Sequence, residues 1–239
     1  MRKEIIELSS EVWNNSELKN TIHKYSEEIK DISDTTSDIV KPIKAFVSIY
    51  QYVQKVKFKR FLTSYAKKIN EAFDSKEELT DKMTKYLESE KNLNFIYNTI
   101  DSAINANSTL CSGIIGYLAG IILSEQKRLD SNSMIYLNAL RSLNDFDLLL
   151  AIKVLENKEG YTKNQTISKV NKFSTNIESY EYVVQKLKGL QIVKEIKGEP
   201  GNPVGLGQSF WGTYRLTDVS RGFLDLIKKS GYYEEIINQ

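Results

Sequence analysis

Leu187-Lys188-Gly189-Leu190-Gln191-Ile192-Val193 closes a helical pattern and opens a β-prone run, and Tyr214-Arg215-Leu216-Thr217-Asp218 closes a second β-prone run and opens a helix. Between them, residues 198–207 hold Pro200, Gly201, Pro203 and Gly205, which suit a turn or a flexible tip. The helix before the first run covers 177–188 with Gly189 as its stop, and the helix after the second covers 219–229. Further upstream, Phe146, Leu148, Leu149, Ile152 and Leu155 recur at helical spacing behind Asn144 and Asp145, either of which can cap the helix, and Gly160 follows as a stop. With a segment at 165–173, the order from Asp145 is helix, helix, helix, a hairpin with a Gly/Pro-rich tip, and a last helix.

These residues, together with Gly222-Phe223-Leu224, resemble the wing half of bacterial winged-helix domains, and the likeness runs from Asp145 to the end. The resemblance implies a third helix able to enter a DNA major groove and a wing reaching a neighbouring phosphate or the minor groove. On that footing Lys163, Lys169, Lys172, Asn176, Ser179, Lys186, Lys188, Lys197 and Arg215 are the expected nucleic-acid-binding residues, with Lys194 among the lysines nearby. Winged helices also serve as protein-docking and structural units. Glu178 and Glu181 sit near the start of the candidate recognition helix, and 145–239 is close to neutral, with 13 basic and 12 acidic residues. Carboxylates facing phosphates repel, so the docking alternative stays open.

Working towards the N-terminus, residues 71–144 carry helical patterns at 79–87, 93–105, 110–124 and 134–143. Gly113, Gly116 and Gly120 inside the third weaken it as an isolated helix but let a neighbour approach closely, which marks it as the centre of a bundle. Its apolar run is too short for the roughly 20 residues that cross a bilayer, so no transmembrane segment is expected.

Residues 39–70 contain eight basic residues and no acidic one. Pro42 suits a first helical turn, and Ile43, Phe46, Val47, Tyr50, Val53, Phe61, Leu62, Tyr65 and Ile69 continue a helical stripe, which fits either two helices that break near Lys57 or one long kinked helix. Lys55, Lys57, Lys59, Arg60, Lys67 and Lys68 form a candidate basic patch, with aromatic residues interleaved. The plainer reading is that these lysines face acidic neighbours, since 1–38 has nine acidic against five basic residues. Within 1–38, Ile22, Tyr25, Ile29 and Ile32 predict an amphipathic helix, with a shorter one before it. Phe58-Lys59-Arg60-Phe61-Leu62 and Asp147-Leu148-Leu149 resemble an uncharacterised group of bacterial proteins of similar length, which implies a bacterial or phage protein from a phage-defence neighbourhood. That resemblance implies no activity and carries over no residues.

The expected fold class is mainly α: a helical bundle domain over 1–144, then a winged-helix domain with a small β-hairpin over 145–239. Catalysis lacks its usual parts. His23 is the single histidine and Cys111 the single cysteine, too few for a zinc site, and Cys111 belongs to an apolar face. The acidic residues over 27–38 lack EF-hand spacing, and the glycines over 201–207 lead into a strand where a phosphate loop needs a helix. No enzyme activity, cofactor or metal is therefore expected. One cysteine and no leader-like opening point to a reducing cytoplasm. The leading expectation is a non-enzymatic regulatory or binding protein that contacts double-stranded DNA. The alternative is an interaction factor, a component or antagonist of phage defence, docking a protein or membrane surface; a homodimer through apolar helix faces fits either.

Overall fold

A computed structural model describes residues 2–12, 41–125, 130–156, 177–195 and 214–238. The protein is mainly α, and its chain divides into two compact units, Met1–Leu143 and Asn144–Gln239. No described helix is long and apolar enough to cross a membrane.

The first unit comprises α1 (Arg2–Val12), α2 (Lys41–Ala72), α3 (Lys76–Glu88), α4 (Glu90–Ile104), α5 (Thr109–Ser124) and α6 (Ser131–Ser142). Polar side chains that accept from main-chain amides set several of the starts. Ser75 accepts from the Glu78 amide, Ser108 from the Leu110 and Cys111 amides, and Asp130 from the Ser133 amide at 2.7 Å. Each bond satisfies a donor that the first helical turn leaves without an intrahelical partner.

α2 is a single helix of 32 residues, so of the two alternatives, two helices or one long one, the chain takes the second. Phe58, Phe61, Leu62, Tyr65, Ala66 and Ile69 stay buried through that point, and a lysine stem can lie along such a surface while its nitrogen reaches outward. Partial burial still holds the Lys57 ammonium below the ordinary lysine range. α1 is fastened to α2 through hydroxyls: Ser9 donates to the Ile5 carbonyl, and Tyr65 donates to Ser9 over 2.7 Å. Burial pushes the Tyr65 phenol pKa up.

α5 is buried throughout 110–120 and packs most extensively on α2. Glycine makes that approach possible. A Cβ on Gly116 would overlap the Phe61 carbonyl oxygen, and one on Gly120 would fall 2.6 Å from the Lys68 Cβ. The helix read as the bundle centre is therefore central because its backbone has no side chain at the two points where α2 crosses it. The amphipathic helix expected around Ile22 to Ile32 lies outside the described residues.

The second unit comprises α7 (Asp145–Leu155), α8 (Ile177–Gly189), β1 (Lys194–Glu195), β2 (Tyr214–Arg215), α9 (Asp218–Lys229) and α10 (Tyr233–Ile237). Asn144 and Asp147 form a capping box at the start of α7, and Thr217 and Ser220 form one at α9. Leu148, Ile152, Val183, Leu187, Ile192, Phe223 and Ile227 fill the core. β1 and β2 pair antiparallel, with Lys194 opposite Arg215 and Glu195 opposite Tyr214.

Two details differ from the sequence reading. The β-prone residues Ile192 and Val193 sit in the turn before β1, because the chain leaves α8 through Gln191 at φ 62 and not through Gly189. The Ile192 amide bonds back to the Leu187 carbonyl at 2.9 Å, the pattern of a helix C-cap with a left-handed residue. The short helix α10 was not anticipated from the sequence. The segment expected at 165–173 and the tip at 198–207 lie outside the described residues.

Candidate nucleic-acid interface

The lysines of α8 are committed within the unit. Lys186 Nζ lies 2.7 Å from Asp147 Oδ2, and the Asp147 side chain is only 2% exposed. The same oxygen accepts the Asn144 amide, so one carboxylate both starts α7 and ties it to α8. Asp147 shares the inward face of α7 with Leu148, Ala151 and Val154, where an ionised carboxylate requires a partner. Lys186 is that partner. Lys188, two residues on, is half-buried with its nitrogen shielded from solvent.

What α8 turns outward is Glu178 and Tyr182, with Tyr182 58% exposed and the Lys186 nitrogen 5.8 Å from its ring centre. Ser179 is half-buried on the same helix. Phe146, beside Asp147 in α7, is 53% exposed. These exposed side chains of α7 and α8 are aromatic and acidic.

The β ladder has the opposite character. Tyr214 is fully buried; it donates to the Val154 carbonyl at 3.3 Å and receives the Tyr180 hydroxyl at 3.0 Å, which joins β2 to α7 and α8. Side chains alternate along a strand, so fixing Tyr214 inward turns Arg215 outward. Arg215 and its cross-strand partner Lys194 are both exposed, and neither makes an ion pair among the described residues. Directly opposed side chains on an antiparallel pair stand about 5 Å apart at Cβ, and like charges there destabilise the ladder. The ladder thus sets two cations in directly opposed register.

At the far end of the unit, Tyr233 donates to Glu156 at 2.6 Å while Lys228 pairs with the same carboxylate oxygen at 3.0 Å. The bond to Glu156, ahead of desolvation, pushes the Tyr233 phenol up to about 12. Lys163, Lys169, Lys172, Asn176 and Lys197 lie outside the described residues.

In the first unit the candidate basic patch is spread around α2. Lys59 and Lys67 are exposed, and Arg60 lies half-buried beside Lys59. Lys55 and Lys57 are half-buried. Lys68 is 22% exposed, 3.6 Å from Glu71, and its nitrogen lies 5.9 Å from the Tyr117 ring centre. Lys57 and Lys68 therefore belong to a different side of the helix from Lys59 and Lys67.

Cys111 is fully buried, its thiol donating to the Leu143 carbonyl at 3.6 Å. His23 lies outside the described residues, and no group of three His, Cys, Asp or Glu side chains among the described residues could hold a metal. A groove of about 590 Å³ between α4 and the start of α6 gathers Glu90, Lys91, Asn94, Asn98 and Asp130 around Phe95 and Met134. Compared with known families, curated proteins and solved structures, the chain matches none.

Two of the residues above carried a readable signal. A carboxylate at 147, at apolar helical spacing with Leu148, Ala151 and Val154, is a buried acid in need of a cation. Lys194 lay among the nearby lysines, but its pairing with Arg215 depends on a register that no local pattern specifies.

Proposed function

We propose that this is a non-enzymatic, winged-helix-like protein that contacts the backbone of double-stranded DNA through its second unit, and that the hairpin base is the point of contact. The observation that supports it is the exposed Lys194–Arg215 pair, two cations in cross-strand register with no described acid bound to either. A phosphate between them would relieve their repulsion. Contacts of this kind position a protein on a duplex without reading its sequence. Lys186 is excluded from the contact set because Asp147 already holds it.

The test is anisotropy of a fluorescent random-sequence duplex titrated with the full chain across a salt series. The double variant Lys194→Gln/Arg215→Gln should flatten the log–log salt dependence by about two, one unit for each phosphate contact removed. Its folding stability should stay level or rise by a few tenths of a kcal/mol as the like-charge pair disappears. Unchanged binding would sink the reading.

A second reading rests on the other side of the unit. Phe146 and Tyr182 are large, exposed and close to the Lys186–Asp147 pair, and exposed aromatic residues are what protein interfaces use as anchors. If the unit docks a protein, Tyr182→Ala should abolish capture of that partner and leave duplex binding untouched.

A further inference from the structure

Lys59, Thr63 and Lys67 follow at four-residue intervals on α2, so they lie along one helix face over about 12 Å. All three are exposed, and Arg60 borders the strip. Thr63 turns its hydroxyl back to the Lys59 carbonyl at 2.9 Å, which keeps the middle of the strip low and neutral. Neither Lys59 nor Lys67 forms an ion pair among the described residues.

An ordinary solvated helix face mixes signs. α1 and α3 do this, with Lys3 set against Glu7 at 3.7 Å and Lys82 against Glu78 at 2.7 Å, each four residues apart. α2 has no acid anywhere over 39–70, and the first one after it, Glu71, is turned to Lys68. Among the described residues neither Lys59 nor Lys67 has such a pair, which leaves a positive track along this face of α2.

The occupant follows from what the strip lacks. A helix that lies in a lipid interface buries an apolar face among the acyl chains, but Phe58, Phe61, Leu62, Tyr65 and Ile69 are all turned into the core of the unit. Headgroup attraction alone is weak for so few cations. A partner whose negative charges repeat along a line, and which needs no apolar insertion, is a nucleic-acid backbone.

We propose that the Lys59–Thr63–Lys67 face of α2 is a second phosphate-binding track, used on the same duplex class as the hairpin base. It takes its partner class from the reading above but stands on different residues in the other unit.

The experiment uses the full chain and a random-sequence duplex at several salt concentrations, with Lys59→Gln/Lys67→Gln beside Lys194→Gln/Arg215→Gln, and with far-ultraviolet circular dichroism to show that each variant keeps its helix content. Lys59→Gln/Lys67→Gln should reduce the salt slope by about two while binding persists. Charge reversal, Lys59→Glu/Lys67→Glu, should weaken binding further at every salt concentration. A slope unchanged by the α2 variants but reduced by the hairpin variant overturns the track and leaves the hairpin reading standing. The reverse pattern supports the track and overturns the hairpin reading. Absence of duplex binding at low salt overturns both, as does wild-type binding to vesicles rich in anionic lipid but not to the duplex.

Discussion

The first unit is held where two helices come together with no side chain between them, and the second where charged and hydroxyl groups are drawn into the interior. In the first, Gly116 and Gly120 let α2 lie against the backbone of α5, with the Ser9–Tyr65 hydroxyl bond fastening α1 to α2. In the second, Asp147 with Lys186 and Tyr180 with Tyr214 cross between elements at buried positions. The difference follows from size and content. The first unit has enough apolar surface to specify its packing by shape, whereas the smaller second unit gains specificity from polar links whose geometry allows few alternatives.

That contrast predicts opposite responses to substitution. The largest effect should come from Gly116→Ala, because the new methyl meets the Phe61 main chain, which cannot rotate away. A helix-interior glycine changed to alanine ordinarily gains about 1 kcal/mol, but here a loss of about 3 kcal/mol is expected from overpacking. Urea denaturation followed by circular dichroism measures it. Gly120→Ala meets the Lys68 Cβ at 2.6 Å, an atom that its own backbone fixes, and should lose about 2 kcal/mol. A gain in stability at either site would show that the close approach is not what governs the crossing.

In the second unit, Lys186→Met should lose about 3 kcal/mol by leaving the Asp147 carboxylate buried without its cation. Adding Asp147→Asn should recover much of that loss, since a neutral amide can still accept at the helix start. If the double variant is no better than Lys186→Met alone, the pair is not what joins α7 to α8.

The smallest effect tests the exit from α8. Gln191 holds a left-handed conformation that favours glycine, so Gln191→Gly should gain about 1 kcal/mol. Gly189, helical and with no atom within 4 Å of a built Cβ, should gain roughly 0.5–1 kcal/mol as Gly189→Ala. A loss at Gln191 would mean that its side chain contributes more than its backbone conformation takes away.

Helix existence was legible because it depends on apolar spacing, and the patterns at 79–87, 93–105, 110–124 and 134–143 each correspond to one helix, α3 to α6. The unbroken course of α2 through Lys57 was legible only as one of two alternatives, because apolar spacing alone does not say whether one helix or two carry a stripe. Gly189 read as a stop, yet the left-handed residue is Gln191; the turn is set by where Ile192 and Val193 enter the core, a tertiary demand that overrides local preference. On the candidate site, lysines could be counted from the sequence but not sorted. Whether a lysine meets a carboxylate 39 positions away, as Lys186 does, or a second cation across a ladder, as Lys194 does, depends on long-range register.

Cys111 offers a use unrelated to chemistry at a site. It is the one thiol in the chain, fully enclosed on α5 beside the helix crossing and bonded to the carbonyl of Leu143 at the close of the first unit. A reagent such as a maleimide can reach it only when that unit opens, so the labelling rate under native conditions is a clock for the opening. Divided by the rate for an exposed thiol, it gives the fraction of time the first unit spends open, without denaturant and without any signal from the second.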